Sequence, residues 1–182
     1  MSEPPFTRIA TKVLVENPWH RYCVDRYVRT DGSEGEYFYV DMPGAVGIIP
    51  RFDDGTTLLC RQWRYLLGRH LWEFPIGGMK RGEDPRHAAE HELEEEAGLI
   101  ASRWTYLGAF APYKGVSTEH TYYFLAEGLT QVAQRLEPEE DITLHRMSLD
   151  DARARLLDQE LCDAQSWGGL MLLDRHFARG GR

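Results

Sequence analysis

The sequence predicts an α/β sandwich built on a mixed sheet, with a small β-rich arm in front of it. Short runs of β-branched and aromatic residues outnumber the segments with helical spacing. Turn pairs such as Asp31-Gly32, Pro43-Gly44 and Asp54-Gly55 separate those runs. With 182 residues the chain has room for one domain and an appendage. Strands interspersed with a few helices fit layers of helix on sheet.

Residues 1–42 read as the arm. Its candidate strands are Thr11-Lys12-Val13-Leu14-Val15, the run Arg21 to Arg29, and Glu36-Tyr37-Phe38-Tyr39-Val40 beyond the Asp31-Gly32 turn. A meander this small is not expected to stand alone, so it should pack on the main domain or on a second subunit. Trp19 follows Pro18 in a loop, either as a packed anchor or as a surface on which a base can stack.

Residues 43–182 read as the main domain. Ala45 to Ile49 and Thr56 to Trp63 form two strands around a turn, and Leu71 to Pro75 is an extended segment leading into a glycine-rich turn. A helix is expected from Pro85, whose missing N–H costs nothing in the first turn, to Ala97, with Gly98 as its stop. Strand-like runs follow at Trp104 to Phe110, His120 to Ala126 and Ile142 to Met147. Ser148 and Asp151 suggest a capping box for a helix ending near Asp158. In a last helix, from about Asp163 to Phe177, Leu170, Leu173 and Phe177 form a core stripe.

Composition excludes several classes. A net charge of −8 opposes general nucleic-acid binding, which relies on basic patches. No apolar run reaches the roughly 18 residues that a membrane span needs. Met-Ser-Glu-Pro-Pro lacks the basic start and apolar core of a signal peptide. Cys23, Cys60 and Cys162 form no CxxC pair, which fits a reduced, cytoplasmic protein.

The chemistry concentrates between Gly77 and Leu99. A glycine turn leads into a helix with five glutamates in ten residues: Glu90, Glu92, Glu94, Glu95 and Glu96. Like charges a helical turn apart destabilise the helix by a few tenths of a kcal/mol per pair unless a cation lies among them. Hard cations such as Mg²⁺ take oxygen ligands and bridge carboxylates to substrate phosphates.

This stretch resembles the signature of the Nudix hydrolases, G-x5-E-x7-R-E-U-x-E-E-x-G-U, with U a bulky aliphatic residue. Gly77 begins it, Glu83 is the first acid, and Glu92, Leu93, Glu95, Glu96, Gly98 and Leu99 follow in register. Eight of nine specified positions are filled, and His91 stands in place of the arginine. Arg61-Gln62-Trp63-Arg64-Tyr65 and Trp72-Glu73-Phe74-Pro75-Ile76-Gly77-Gly78 are similar to segments of the branch that hydrolyses ADP-ribose and nucleoside diphosphate sugars such as GDP-mannose or ADP-glucose. That branch has a compact loop after the signature. Here Pro112 and Glu119 are two residues further apart, which implies a different pocket over the distal sugar.

The resemblance implies a Nudix-type α/β/α sandwich and a Mg²⁺-dependent enzyme, with Mn²⁺ as a substitute. Glu92 and Glu96, four apart on one helix face, are the expected metal ligands, joined by Glu95 and the Ile76 carbonyl. Carboxylates locked on metal are poor bases, so the base is expected in the acidic loop. Glu140 is the first choice, with Glu139 beside it, and Glu95 completes the catalytic set. Arg61 and Arg64 are expected on phosphate or ribose oxygens, with Glu73, Glu119 and Trp19 also on substrate. Glu83 is expected to cap the loop or pair with a base, and His91 implies added pH sensitivity. The resemblance further implies a homodimer with exchanged arms and a nucleoside diphosphate sugar as substrate.

Two rivals exist. His87-x-x-Glu90-His91 fits an inverted zinc-peptidase pattern, but three specified positions arise by chance far more often, and His91 points about 100° from Glu92. A non-catalytic nucleotide-sugar sensor would be expected to lose helix carboxylates, and Glu92, Glu95 and Glu96 are all present.

Overall fold

The computed structural model describes residues 4–138 and 140–181. Three strands come first: β1 (Phe6–Glu16), β2 (Arg21–Arg29) and β3 (Glu34–Asp41), an antiparallel sheet in the order β1-β2-β3. Next are β4 (Ala45–Pro50), β5 (Thr57–Arg64), β6 (Arg69–Glu73), β7 (Ile76–Gly78), the helix α1 (Pro85–Ala97), β8 (Leu99–Phe110), β9 (Thr121–Gln131) and β10 (Ile142–Met147). The helices α2 (Leu149–Asp158) and α3 (Ala164–Ala178) close the chain.

Two further sheets form the body. One has the order β7-β4-β9-β8 and is mixed, because β4 and β9 run parallel. The other, β10-β5-β6, is antiparallel. Side chains alternate across β4 and β9, and the core divides accordingly. Val46, Ile48, Phe124 and Ala126 pack under α1 with Ala88, Ala89, Leu93 and Ala97. Ile49, Tyr123 and Leu125 pack on the opposite side against Ala152 and Leu156 of α2 and Leu170 and Leu173 of α3. Helix on sheet on helix is the predicted α/β/α sandwich.

Local chemistry sets the ends of α1. Asp84 accepts hydrogen bonds from the backbone N–H groups of Arg86 and His87, and Pro85 occupies the first turn. Gly98 ends the helix at φ 60°, a left-handed conformation that glycine adopts without a Cβ penalty. Leu93 is fully buried under this helix, and truncating it to alanine would cost about 2–5 kcal/mol.

Several elements differ from expectation. Gly77 and Gly78 are not a turn; they lie in β7, paired with Val46 and Ala45 of β4. Their low strand propensity hides a strand that β4 imposes. Strand β8 starts at Leu99, directly after the helix stop, and β9 continues to Gln131, its partner. Strand β1 begins at Phe6 and is exposed along its whole length. Ser148 caps α2 as expected, its hydroxyl accepting from the Asp151 N–H at 3.1 Å, but the Asp151 carboxylate reaches no backbone N–H among the described residues and accepts from the Ser148 hydroxyl at 2.6 Å.

Candidate active site

The glutamate helix lies against β7, and the fit is close. A Cβ built on Gly77 would stand 1.9 Å from Cδ of Glu92, so only glycine lets that carboxylate sit on the strand. Nothing comparable constrains Gly78. In the β4–β7 ladder the Ile48 N–H donates to the Pro75 carbonyl at 2.9 Å and the Met79 N–H to the Gly44 carbonyl at 3.0 Å. Bonded and non-bonded pairs alternate in an antiparallel ladder. The Gly47–Ile76 pair lies between bonded ones, so the Ile76 carbonyl points away from β4 and remains available as a ligand.

Glu96 is 4 % exposed, Glu92 is half-buried and Glu95 is exposed. None of the three carboxylates has an ion-pair or hydrogen-bond partner among the described residues, whereas Glu90 and Glu94 on the same helix pair with Arg86 and Arg135. Burial and the charges of Glu95, Glu140, Glu83 and Glu137 push the Glu92 carboxyl up to about 7. Burial, Glu92 and Glu140 push Glu96 well above the usual carboxylate range. Buried carboxylates that raise one another's pKa and have no cationic partner suit a divalent ion. Among the described residues no three His, Cys, Asp or Glu side chains converge tightly enough to hold an ion by themselves. The carboxylates and the Ile76 carbonyl are oxygen donors of the kind a hard divalent cation takes.

The acidic loop faces this helix because a strap holds it there. Gln131 Nε2 donates to the Gly98 carbonyl at 2.8 Å, Gln134 Nε2 to the Glu96 carbonyl at 2.6 Å, and the Arg135 N–H to the Glu95 carbonyl at 2.9 Å. These bonds satisfy carbonyls that the C-terminal end of α1 leaves open. The Trp63 N–H donates to the Asp141 carbonyl at 3.0 Å, leading the loop into β10. Between those anchors, the Glu140 carboxylate accepts from the Glu137 N–H at 2.8 Å and acts electrostatically on both Glu92 and Glu96. Glu139 lies outside the described residues. Cys60 is buried beneath the cluster, and burial with the charges of Glu96 and Glu73 raises its thiol, leaving it inert.

Glu83 caps the loop, one of the two roles expected of it. Its carboxylate accepts from the Lys80 N–H at 2.8 Å and lies 3.8 Å from Nδ1 of His91. His87 stacks on His91 on the exposed side of α1, away from β7.

The two arginines separate. They are three residues apart on an unbroken strand, so they face opposite sides of the sheet. Arg64 shares a face with Cys60 and reaches Glu73, donating from Nε at 2.7 Å and again from its terminal nitrogen. Glu73 is 2 % exposed. Burial pushes its carboxyl up and the Arg64 guanidinium pulls it partway back. Arg61 lies on the other face, opposite Trp72 in β6, and is not brought to the glutamates. Trp19 stands at the β1–β2 turn and is 73 % exposed, so within one chain it is not a packed anchor.

Glu119, at the end of the 112–119 loop, is 7 % exposed, and burial raises its carboxyl. Tyr113 of that loop lies within the fields of Glu119, Asp163, Arg64 and Glu73. Charged groups therefore fall in two sets, the carboxylates of α1 with Glu140, and Arg64 with Glu73 and Glu119 around Tyr113.

Comparison with known proteins places this geometry. The chain is 34 % identical over 174 residues to an ADP-ribose pyrophosphatase of Mycobacterium tuberculosis, covering 94 % of this chain and 84 % of that one. It is 32 % identical over 149 residues to an ADP-ribose pyrophosphatase of Bacillus subtilis, covering 79 % and 80 %. A methanol dehydrogenase activator of Bacillus methanolicus is 30 % identical over 145 residues, covering 79 % and 78 %. A crystal structure of an ADP compounds hydrolase superposes with a TM-score of 0.82 at 20 % identity, over 100 % of this chain and 99 % of that one, a likeness of fold. The NUDIX domain matches residues 41–165, a span that holds β7, the glutamate helix, its strap and the loop ending at Glu119, and the chain belongs to that family.

Proposed function

We propose that the chain hydrolyses the diphosphate bond of a nucleoside diphosphate sugar, with ADP-ribose as the leading substrate and GDP-mannose or ADP-glucose as alternatives. The observation that carries this reading is the set of carboxylates Glu92, Glu95 and Glu96, without partners among the described residues, with Glu92 packed on Gly77 and Glu140 acting on Glu92 and Glu96. Two relatives of at least 32 % identity act on ADP-ribose by name, which supports the choice of sugar.

Nudix hydrolases generally use divalent metal, and here Mg²⁺ is proposed, with Mn²⁺ as a substitute. Glu92, Glu96, Glu95 and the Ile76 carbonyl would hold it. Bound there, it would supply charge neutralisation for the phosphates and Lewis acidity. Glu140 is proposed as the base that takes the proton as the water oxygen attacks phosphorus, with Glu139 as its neighbour and Glu95 as the remaining member of the catalytic set. The P–O bond to the bridging oxygen breaks, giving a nucleoside monophosphate and a sugar phosphate. Arg64, held by buried Glu73, is oriented for a phosphate oxygen without losing its charge. Arg61 and Trp19 are proposed to contact substrate from an assembled dimer, since neither is brought to the glutamates within one chain.

The dimer is proposed from residues 1–42, the arm, acting with the domain at 43–182. Phe6, Ile9, Val13, Val15 and Phe38 are each more than 40 % exposed on a sheet whose buried core is Cys23 and Val24. A three-stranded sheet with so little core needs a partner surface. No helix among the described residues is long and apolar enough to cross a membrane. From the three unpaired thiols we propose a cytoplasmic enzyme, and from the net charge of −8 a small-molecule substrate and no nucleic-acid partner.

A panel of ADP-ribose, GDP-mannose, ADP-glucose, NADH and nucleoside triphosphates, each with Mg²⁺, tests the reading. The expected outcome is cleavage of a diphosphate sugar to two monophosphates; cleavage of triphosphates alone would refute it.

A further inference from the structure

The 112–119 loop is held at its middle and at its C-terminal end. The arm holds its middle: the Tyr37 hydroxyl donates to the Gly115 carbonyl at 2.7 Å, the Val40 N–H to the Val116 carbonyl at 2.8 Å, and the Thr118 N–H to the Val40 carbonyl at 3.0 Å. At its end stands Glu119, a buried carboxylate without a cationic partner among the described residues.

What holds Glu119 is Gln165, in the first turn of α3. Gln165 Nε2 donates to Glu119 Oε1 at 3.1 Å and to the Thr121 hydroxyl at 2.9 Å. Both amide hydrogens are thereby used, and the reverse orientation would set the amide oxygen against a carboxylate oxygen. The glutamine is fixed in turn. Its backbone N–H donates to the Asp163 side chain at 3.2 Å, and the next residue, Ser166, accepts from the Phe74 N–H at 3.0 Å. Glu119 Oε2 makes no hydrogen bond among the described residues.

We propose that Gln165 is a positioning residue for substrate: it fixes Glu119 Oε1 so that Oε2 is presented, beside Tyr113 and in the field of Arg64, as an acceptor for a sugar hydroxyl of the substrate. The inference rests on the diphosphate-sugar reading above. A neutral donor suits this task. It orients the carboxylate and leaves its charge available to a hydroxyl, whereas an arginine there would neutralise it and compete for the same oxygens.

The test is steady-state kinetics on ADP-ribose with Mg²⁺ for the wild type, Gln165→Leu, Gln165→Glu, Glu119→Gln and the Glu119→Gln/Gln165→Leu pair. Gln165→Leu should raise KM on the order of tenfold, the scale of one hydrogen bond to a charged group. Its kcat should stay within about threefold, since the lost contact is made equally before and during reaction. Gln165→Glu, which sets carboxylate against carboxylate, should raise KM at least as much, and it decides the matter should the leucine variant fail to fold. The double variant should bind no worse than Glu119→Gln alone, because Gln165 acts through Glu119. An unchanged KM, or additive effects in the double variant, would overturn the role of Gln165. A wild type that cleaves no diphosphate sugar would instead refute the functional reading, and this inference with it.

Discussion

Replacing Glu92 by glutamine should make the metal-free protein more stable while removing most of its activity. The carboxyl stands at about 7 instead of its ordinary 4.5, because burial and four neighbouring glutamates oppose its charge. That displacement corresponds to at most about 3 kcal/mol against the ionised form. The sign follows from which state binds the proton. Below pH 4.5 the group is protonated both folded and unfolded, and no penalty exists. Between 4.5 and about 7 the unfolded chain ionises first, so stability falls as pH rises, and above 7 the penalty is constant. Glutamine keeps the shape and cannot ionise. In EDTA at pH 8, Glu92→Gln should melt higher than wild type by up to about 6–12 °C, at roughly 2–4 °C per kcal/mol for a chain of this size. The difference should shrink towards pH 4.5, and millimolar Mg²⁺ should raise the wild-type melting temperature more than that of the variant. Thermal scans across pH with and without Mg²⁺ read all three effects. A variant less stable than wild type at pH 8 in EDTA, or a difference independent of pH, would refute the view of α1 as a strained, partnerless platform.

Other perturbations follow from the same geometry. Glu140→Gln should lower kcat by about 10²–10⁴-fold with little change in substrate binding, the usual range for losing a general base; pre-steady-state and binding measurements check it. Gly77→Ala places a methyl group where the Glu92 carboxyl lies, so Mg²⁺ titration should show affinity reduced on the order of tenfold or more. Arg64→Ala leaves Glu73 buried and uncompensated, which should cost about 3 kcal/mol in denaturant unfolding as well as raising KM.

Much of this architecture is local in origin and therefore legible in the sequence. Asp84, Pro85 and Gly98 delimit α1 within one turn of either end, and the bounds of β2 and β10 are legible from their β-branched and aromatic runs. The spacing of Glu92 and Glu96 already puts them on one face. What sequence reading misses is imposed from afar. The glycines of β7 propose a turn, and only pairing with β4 makes a strand there. Gln134 and Arg135, which tie the acidic loop to α1, act on residues about 40 positions earlier. Gln165 and Glu119 lie 46 apart, with no local signal to link them. The separation of Arg61 from Arg64 is different. Their odd spacing on one strand was available as a signal and assigns them to opposite faces.

The central claim is that the partnerless carboxylates of α1 hold metal for cleavage of a diphosphate sugar. Its most direct measurement is product analysis of ADP-ribose incubated with Mg²⁺ and wild type or the Glu92→Gln/Glu96→Gln variant, with EDTA as control. Stoichiometric AMP and ribose 5-phosphate from the wild type, lost in EDTA and in the variant, is the predicted result. Cleavage that survives the loss of both glutamates, or a wild type active on triphosphates alone, would contradict it.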